Sequence, residues 1–128
     1  MPDYPCPCCG HRVFDYPPGF HQVCPICGWE DNLAQLRFPL MPAAPNGVCL
    51  LDAQRNYAEH GAAERRNVGT TRRPIEDERV EDGWRPLDLA RDNVEEPRRG
   101  EKYGETYPYE DTTVLYYWRA TYWRRVVG

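Results

Sequence analysis

Apolar and aromatic residues occur in short runs along the chain, and turn-forming residues separate most of these runs. Near the start, Val13 and Phe14 form one such run, and residues 20–23, which begin with Phe20 and end with Val23, are interpreted as a second short strand. A Pro-Pro-Gly sequence at 17–19 lies between them, as expected for a tight connection between two strands. This pattern predicts a short β-hairpin.

A helical period is found further along, over Val48 to His60. Leu50, Ala53 and Tyr57 recur at the spacing of one helical face, and Gly61 follows as a terminating residue. The pattern therefore predicts the one main helix of the chain.

The start of this helix has two candidate caps. Asn46 is one, and Cys49 with Asp52 three residues later is the other, in the manner of a capping box. The preceding segment, 32–47, is predicted to be irregular, because three prolines exclude a long helix there: Pro39, Pro42 and Pro45.

Residues 112–127 are rich in β-branched and aromatic side chains, a composition that favours a strand. One side of that strand would carry Val114, Tyr116 and Trp118. A helix is the alternative, and its inward face would carry Leu115, Trp118 and Tyr122.

Composition limits the size of the core. The chain has 128 residues, which fits one domain or a small metal module with an appendage. Thirteen prolines and ten glycines indicate much turn and loop, so nine tyrosines and four tryptophans must supply most of the apolar contacts. A fold with few aliphatic residues gains stability from a bound metal.

Two segments share the frame Cys-x-x-Cys-Gly: YPCPCCG at residues 4–10 and CPICGW at residues 24–29. Two residues between cysteines form a turn that directs both sulfurs at one ion, at about 2.3 Å for zinc. The following glycine permits a positive φ, which is expected to aim backbone N–H groups at the sulfurs. The spacing predicts a structural Zn2+ with four ligands: Cys6, Cys9, Cys24 and Cys27.

These elements predict a small α+β fold with an N-terminal zinc-ribbon-like double knuckle, one main helix and an aromatic C-terminal strand. Residues 1–73 form the cysteine-rich zinc-binding module with its helix. Residues 74–128 form an acidic, loop-rich segment and the aromatic element, packed on the same core.

For the two cysteine pairs, the alternatives to a zinc site are unliganded thiols or a redox pair. No thioredoxin-like βαβ pattern surrounds either pair.

Two cysteines and a histidine lie outside the predicted ligand set. Cys8 is interpreted as a small buried thiol, with two alternatives: it replaces Cys6 or Cys9 as ligand, or it is a reactive thiol. Cys49 lies far from any cysteine partner and is not expected to bind metal. His11 directly follows the first pair and is the one alternative non-cysteine ligand.

The chain has no run of about 20 apolar residues and no secretory signal pattern, which predicts a reducing cytoplasmic location. A shell of four thiolates leaves no open position for a catalytic water, and no nucleophile signature or phosphate-binding loop is present. The chain is therefore predicted not to be an enzyme.

Several segments resemble the CPCC-type cysteine-rich bacterial proteins: YPCPCCG, CPICGWED, Gln35 and NGVCLLDAQRNYAEHGA from Asn46. The resemblance extends to about residue 73 and is weaker at RRP and GWRPLD. It implies zinc binding and supplies no reaction. Members of that family usually carry serine at the position of Cys49, which implies a helix-capping position for this residue.

Three functions compete. The first is protein–protein interaction, with immunity against a bacterial toxin as its specific form, because residues 76–96 carry nine acidic residues against three arginines and include Trp84. The second is a nucleic-acid-binding zinc ribbon that uses Arg65, Arg66, Arg72, Arg73, Trp118, Arg119, Tyr122, Trp123, Arg124 and Arg125. The net charge of −4 opposes it. The third is redox sensing through Cys8.

Overall fold

The computed structural model describes residues 3–42, 45–92 and 110–123. These residues form a two-stranded antiparallel sheet, β1 (Tyr4–Pro5) with β2 (Arg12–Phe14), and two α-helices, α1 (Leu33–Arg37) and α2 (Leu50–His60). Two 3-10 helices, Arg65–Asn67 and Thr112–Leu115, complete the regular structure of this part.

The predicted hairpin across residues 17–19 is wrong in its second strand. Strand β2 pairs with β1, which precedes the first cysteine pair, and Arg12 N–H donates to the carbonyl of Arg79. Val23 instead bridges to Glu30. The side-chain amide of Gln22 explains part of this outcome, because its oxygen accepts the N–H groups of residues 15 and 16 that a hairpin would use.

The main helix is confirmed, and it begins two residues after the predicted start, at Leu50. Leu50 and Ala53 are fully buried, as their period requires. Gly61 ends the helix in the left-handed conformation (φ 77°), and its N–H donates to the carbonyl of Tyr57. Cys49 is the N-cap, which confirms one of the two candidates that the sequence offers.

The segment 32–47 contains one short helix, α1, where the sequence predicts only irregular structure. The side chain of Asn32 accepts a hydrogen bond from the N–H of Gln35 and so caps the helix. The helix ends at Arg37, and its C-cap Phe38 directly precedes Pro39.

The predicted C-terminal strand is wrong for residues 112–123, and residues 124–127 lie outside the described part. Thr112–Leu115 is a 3-10 helix with Asp111 as its cap, and successive turns follow it. A half-exposed strand would direct alternate side chains to solvent. Here four consecutive side chains are buried, namely Leu115, Tyr116, Tyr117 and Trp118, and the tightly turned backbone allows this.

The core combines the cysteine pairs with aromatic side chains from both predicted parts of the chain. Trp29 and Phe38 from the first part and Tyr116 from the second are almost fully buried. None of the helices in the described residues has the length and apolar character that crossing a membrane requires.

Glu81 connects the strand pair to residues 110–123, which we call the C-terminal segment. Its carboxylate is 5% exposed and accepts hydrogen bonds from Arg12 at 3.1 Å, from Arg119 and from the indole N–H of Trp118. Burial opposes ionisation of Glu81, but the hydrogen bonds from Arg119 and Trp118 outweigh it and lower the pKa of this carboxyl. Glu81 thus joins elements that are distant in sequence.

We expect Glu81→Gln to reduce the free energy of unfolding by about 2 kcal/mol, because two guanidinium groups lose a buried charged partner. The folded-state pKa lies below the unfolded value of about 4.3, so the contribution is complete above that value. It is lost as the pH falls through the folded pKa. Urea unfolding across this pH range should show that the free energies of unfolding of the native chain and of the Glu81→Gln variant become equal in acid. Exposed Glu76→Gln is the control, and a loss of similar size in that variant would contradict the assignment.

Candidate metal centre

The two cysteine pairs form turns with the same backbone hydrogen bonds. In the first, Gly10 N–H donates to the carbonyl of Cys6 at 2.7 Å, and in the second, Gly28 N–H donates to that of Cys24 at 2.8 Å. Both glycines have positive φ, 79° and 84°. The N–H groups of these glycines bond carbonyl oxygens. The backbone N–H that is directed at a sulfur, as expected, is that of Cys27, which donates to the thiolate of Cys24. We call these turns the first knuckle (residues 6–10) and the second knuckle (residues 24–28).

The knuckles bring four sulfur atoms together, those of the residues predicted from spacing: Cys6, Cys9, Cys24 and Cys27. All four atoms lie within 4.8 Å of one another, and all four residues are buried. The Cys6 and Cys27 sulfurs are 3.6 Å apart, and the Cys9 and Cys24 sulfurs are 3.8 Å apart. Sulfurs at about 2.3 Å from a tetrahedral zinc would be about 3.8 Å from one another. The donor set and its spacing therefore fit a structural metal site.

Without a cation, burial disfavours ionisation of two of the four thiols. Burial raises the pKa of Cys6 and Cys27 well above the usual range. Burial also acts against the Cys24 thiolate, but hydrogen bonds from neighbouring thiols and from the N–H of Cys27 lower the pKa of Cys24. Tyr57, on α2, has its pKa raised to about 12 by burial and by the charge of nearby cysteines. Metal binding must release protons from the cluster, so acid weakens binding.

The first knuckle is held by α2 and by the loop before the C-terminal segment. The carbonyl of Pro7 accepts hydrogen bonds from Gln54 Nε2 at 3.0 Å and from the indole N–H of Trp84 at 3.2 Å. The Trp84 ring lies where a Cβ on Gly10 would be, so a side chain at that position would displace it. Gln54 Oε1 also accepts the N–H of Leu87. Sequence reasoning missed Gln54, whose only signal is a polar residue beside the apolar face of α2.

The second knuckle is held by the residues that follow α2. Ala63 N–H donates to the carbonyl of Cys27 at 2.7 Å, and Arg72 N–H donates to that of Pro25 at 3.1 Å. The side chain of Asn67 lies against Gly28, where a Cβ would overlap it. Hydrogen bonds to the backbones of the two knuckles therefore come from three segments, namely α2, residues 63–72 and the loop at Trp84, and position the four sulfurs.

The remaining candidate ligands lie outside the four-sulfur group. Cys8 is fully buried, which agrees with the interpretation as a small buried thiol, and burial raises the pKa of this thiol. Cys49 is at the start of α2. His11 Nδ1 lies 2.6 Å from the carbonyl oxygen of Glu78, which accounts for this ring nitrogen.

Comparison with known proteins agrees with this site. The family model described as "Cysteine-rich CPCC" matches residues 4–78, which is more than half of the chain and includes both knuckles and α2. No curated protein and no solved structure matches the chain. The chain belongs to the cysteine-rich CPCC family.

Proposed function

We propose that the protein is a non-enzymatic, cytoplasmic module with a structural zinc site and acts by binding another protein. The observation that supports the zinc site is the group of four buried sulfurs at tetrahedral spacing. Zinc favours closed tetrahedral sites of this kind, whereas iron is the other metal that commonly accepts four thiolates. None of the six cysteines forms a disulfide, which suits a reducing compartment.

The donor set argues for a structural centre over a catalytic one. Four thiolates fill the coordination shell of zinc, so no position is left for a water that the metal would activate. The knuckles instead pack against α2, the 63–72 segment and the Trp84 loop. The metal would therefore stabilise the fold of the chain.

Nucleic-acid binding is the less favoured function, because much of the proposed basic and aromatic strip is used within the fold. Arg72 pairs with Glu78 at 2.7 Å, and Arg119 pairs with Glu81. The Trp118 indole is buried and donates to Glu81. A stacking surface requires accessible rings and cations. Arg124 and Arg125, the other part of that hypothesis, lie outside the described residues.

The acidic segment supports protein binding, with a smaller exposed charge than its composition suggests. Within the described part of 76–96, three carboxylates are paired with arginines: Glu78, Glu81 and Asp92. Glu76, Asp77 and Asp82 are exposed and have no ion pair among the described residues. Such charges accelerate association with a basic partner. Any role of Trp84 in binding is restricted to the part of its ring that remains accessible.

Immunity against a toxin is the specific form of this proposal. A toxin that acts on nucleic acid has a basic active site, and an acidic protein would cover it by charge complementarity. This form requires a partner that is toxic when it is expressed alone.

Co-purification from the native host, followed by a salt titration of binding, tests the proposal. We expect one protein partner that stays bound after nuclease treatment, with association slowed at high salt. Asp77→Asn with Asp82→Asn should slow association several-fold, while exposed Glu59→Gln, on α2, should leave it unchanged. Recovery of nucleic acid alone would contradict the proposal.

A further inference from the structure

The loop that connects the two knuckles carries three large apolar side chains in solvent. Tyr16, Phe20 and Val23 are 54%, 59% and 58% exposed. The Tyr16 and Phe20 rings stack on each other, with centroids 5.0 Å apart and planes 24° apart. Residues 15–23, which we call the aromatic loop, therefore present a stacked pair of aromatic rings to solvent.

Hydrogen bonds from residues outside the loop hold the loop tip at residues 18–20 in place. The buried carboxylate of Asp31 accepts the N–H groups of Gly19 and Phe20 at 2.8 and 3.2 Å. Thr112 Oγ1 donates to the carbonyl of Pro18 at 2.8 Å. A loop that is already ordered loses little entropy on binding, and aromatic side chains on rigid backbone are typical centres of binding energy.

The charged residues near these rings, and the contacts between arginines and rings elsewhere in the protein, indicate which chemical group binds Tyr16 and Phe20. No lysine or arginine occurs between Arg12 and Arg37, and Asp15 contributes an exposed carboxylate to the loop, whereas Asp31 is buried. Elsewhere among the described residues, arginines lie 4.7–5.6 Å from the centroids of four aromatic rings, those of Phe38, Trp123, Tyr117 and Tyr116. Among the described residues, no arginine lies over Tyr16 or Phe20. An arginine from another protein would supply the missing cation.

We propose that the aromatic loop is the docking surface for a basic segment of the partner protein. An arginine of that segment stacks on Tyr16 and Phe20, and Asp15 supplies the opposite charge. The inference rests on the proposed function, because it assigns that function a surface and a partner chemistry. The other occupants, a second copy of the chain or a nucleic-acid base, are outcomes of the test.

The first experiment uses the 15N-labelled, metal-loaded chain and short peptides of alternating arginine and leucine, lysine and leucine, or glutamate and leucine. We expect saturable NMR shifts centred on residues 15–23 with the arginine peptide, weaker binding of the lysine peptide and none of the glutamate peptide. Tyr16→Ser with Phe20→Ser should weaken arginine-peptide binding about tenfold or more. Asp15→Asn should weaken it several-fold. Val68→Ser, which removes an apolar side chain of similar exposure elsewhere, should leave it unchanged.

Shifts centred outside the aromatic loop, or equal binding by the loop variant, would overturn the inference. Loop shifts produced by a single-stranded oligonucleotide would assign the surface to bases. Concentration-dependent sedimentation that Phe20→Ser abolishes would assign it to a second copy. A co-purified partner that binds the loop variant and the native chain equally would overturn the inference and leave the proposed function intact. Binding of the arginine peptide at the loop without any co-purified partner would support the docking surface and contradict the proposed function.

Discussion

Removal of the metal is expected to unfold the N-terminal half of the chain and, with it, the packed C-terminal segment. Structural zinc contributes roughly 10–16 kcal/mol in isolated fingers at neutral pH, while a whole domain is stable by only about 5–15 kcal/mol. The four sulfurs lie in the core, and Gln54 connects the first knuckle to Tyr117. Loss of the metal should therefore propagate beyond the knuckles.

Addition of a chelator, followed by circular dichroism and 15N NMR, measures this effect. We expect loss of the dispersed amide signals and their return when zinc is restored. Cys49→Ser is the matched control, because Cys49 is a buried cysteine outside the four-sulfur group. That variant should bind zinc and unfold on chelation as the native chain does. A native-like spectrum after complete metal removal would contradict a structural role.

The second large effect separates two adjacent cysteines. Cys9→Ser is expected to lose both the metal and the fold, whereas Cys8→Ser is expected to keep both. The Cys9 sulfur lies 3.8 Å from that of Cys24 within the four-sulfur group, and Cys8 lies outside this group. Replacing the buried Cys8 thiol by a hydroxyl costs only about 1 kcal/mol if the hydroxyl finds a partner.

Elemental analysis and thermal unfolding of the two variants provide the measurement. We expect close to one zinc per chain and a cooperative transition for Cys8→Ser. For Cys9→Ser we expect little metal and no transition. Equal zinc loss in the two variants would show that the ligand assignment is wrong, and zinc loss in Cys8→Ser alone would make Cys8 the ligand.

Sequence alone could predict the features that depend on local chemistry. The spacing of the cysteine pairs identified the sulfurs that meet in space, because a two-residue separation fixes the turn within each pair. The main helix followed from the period of Leu50, Ala53 and Tyr57 and from its terminating glycine. These signals lie within a few residues of one another.

Features that depend on distant contacts were not predictable in this way. Strand β2 pairs with β1 and contacts Arg79, and no local pattern identifies either partner. The C-terminal aromatic run had strand composition, but Glu81 binds Trp118 and Arg119 and packing buries four consecutive side chains. Tertiary contacts of this kind override local β propensity. The same contacts bury Glu81, an acidic residue for which composition alone would predict exposure to solvent.

X-ray absorption at the zinc edge, on protein purified without added metal, tests the central claim most directly. We predict one zinc per chain and a first shell of four sulfurs at about 2.3 Å, with no nitrogen or oxygen ligand. That result would match the group formed by Cys6, Cys9, Cys24 and Cys27. A shell that contains nitrogen or oxygen, a different metal, or a folded chain without metal would contradict the account.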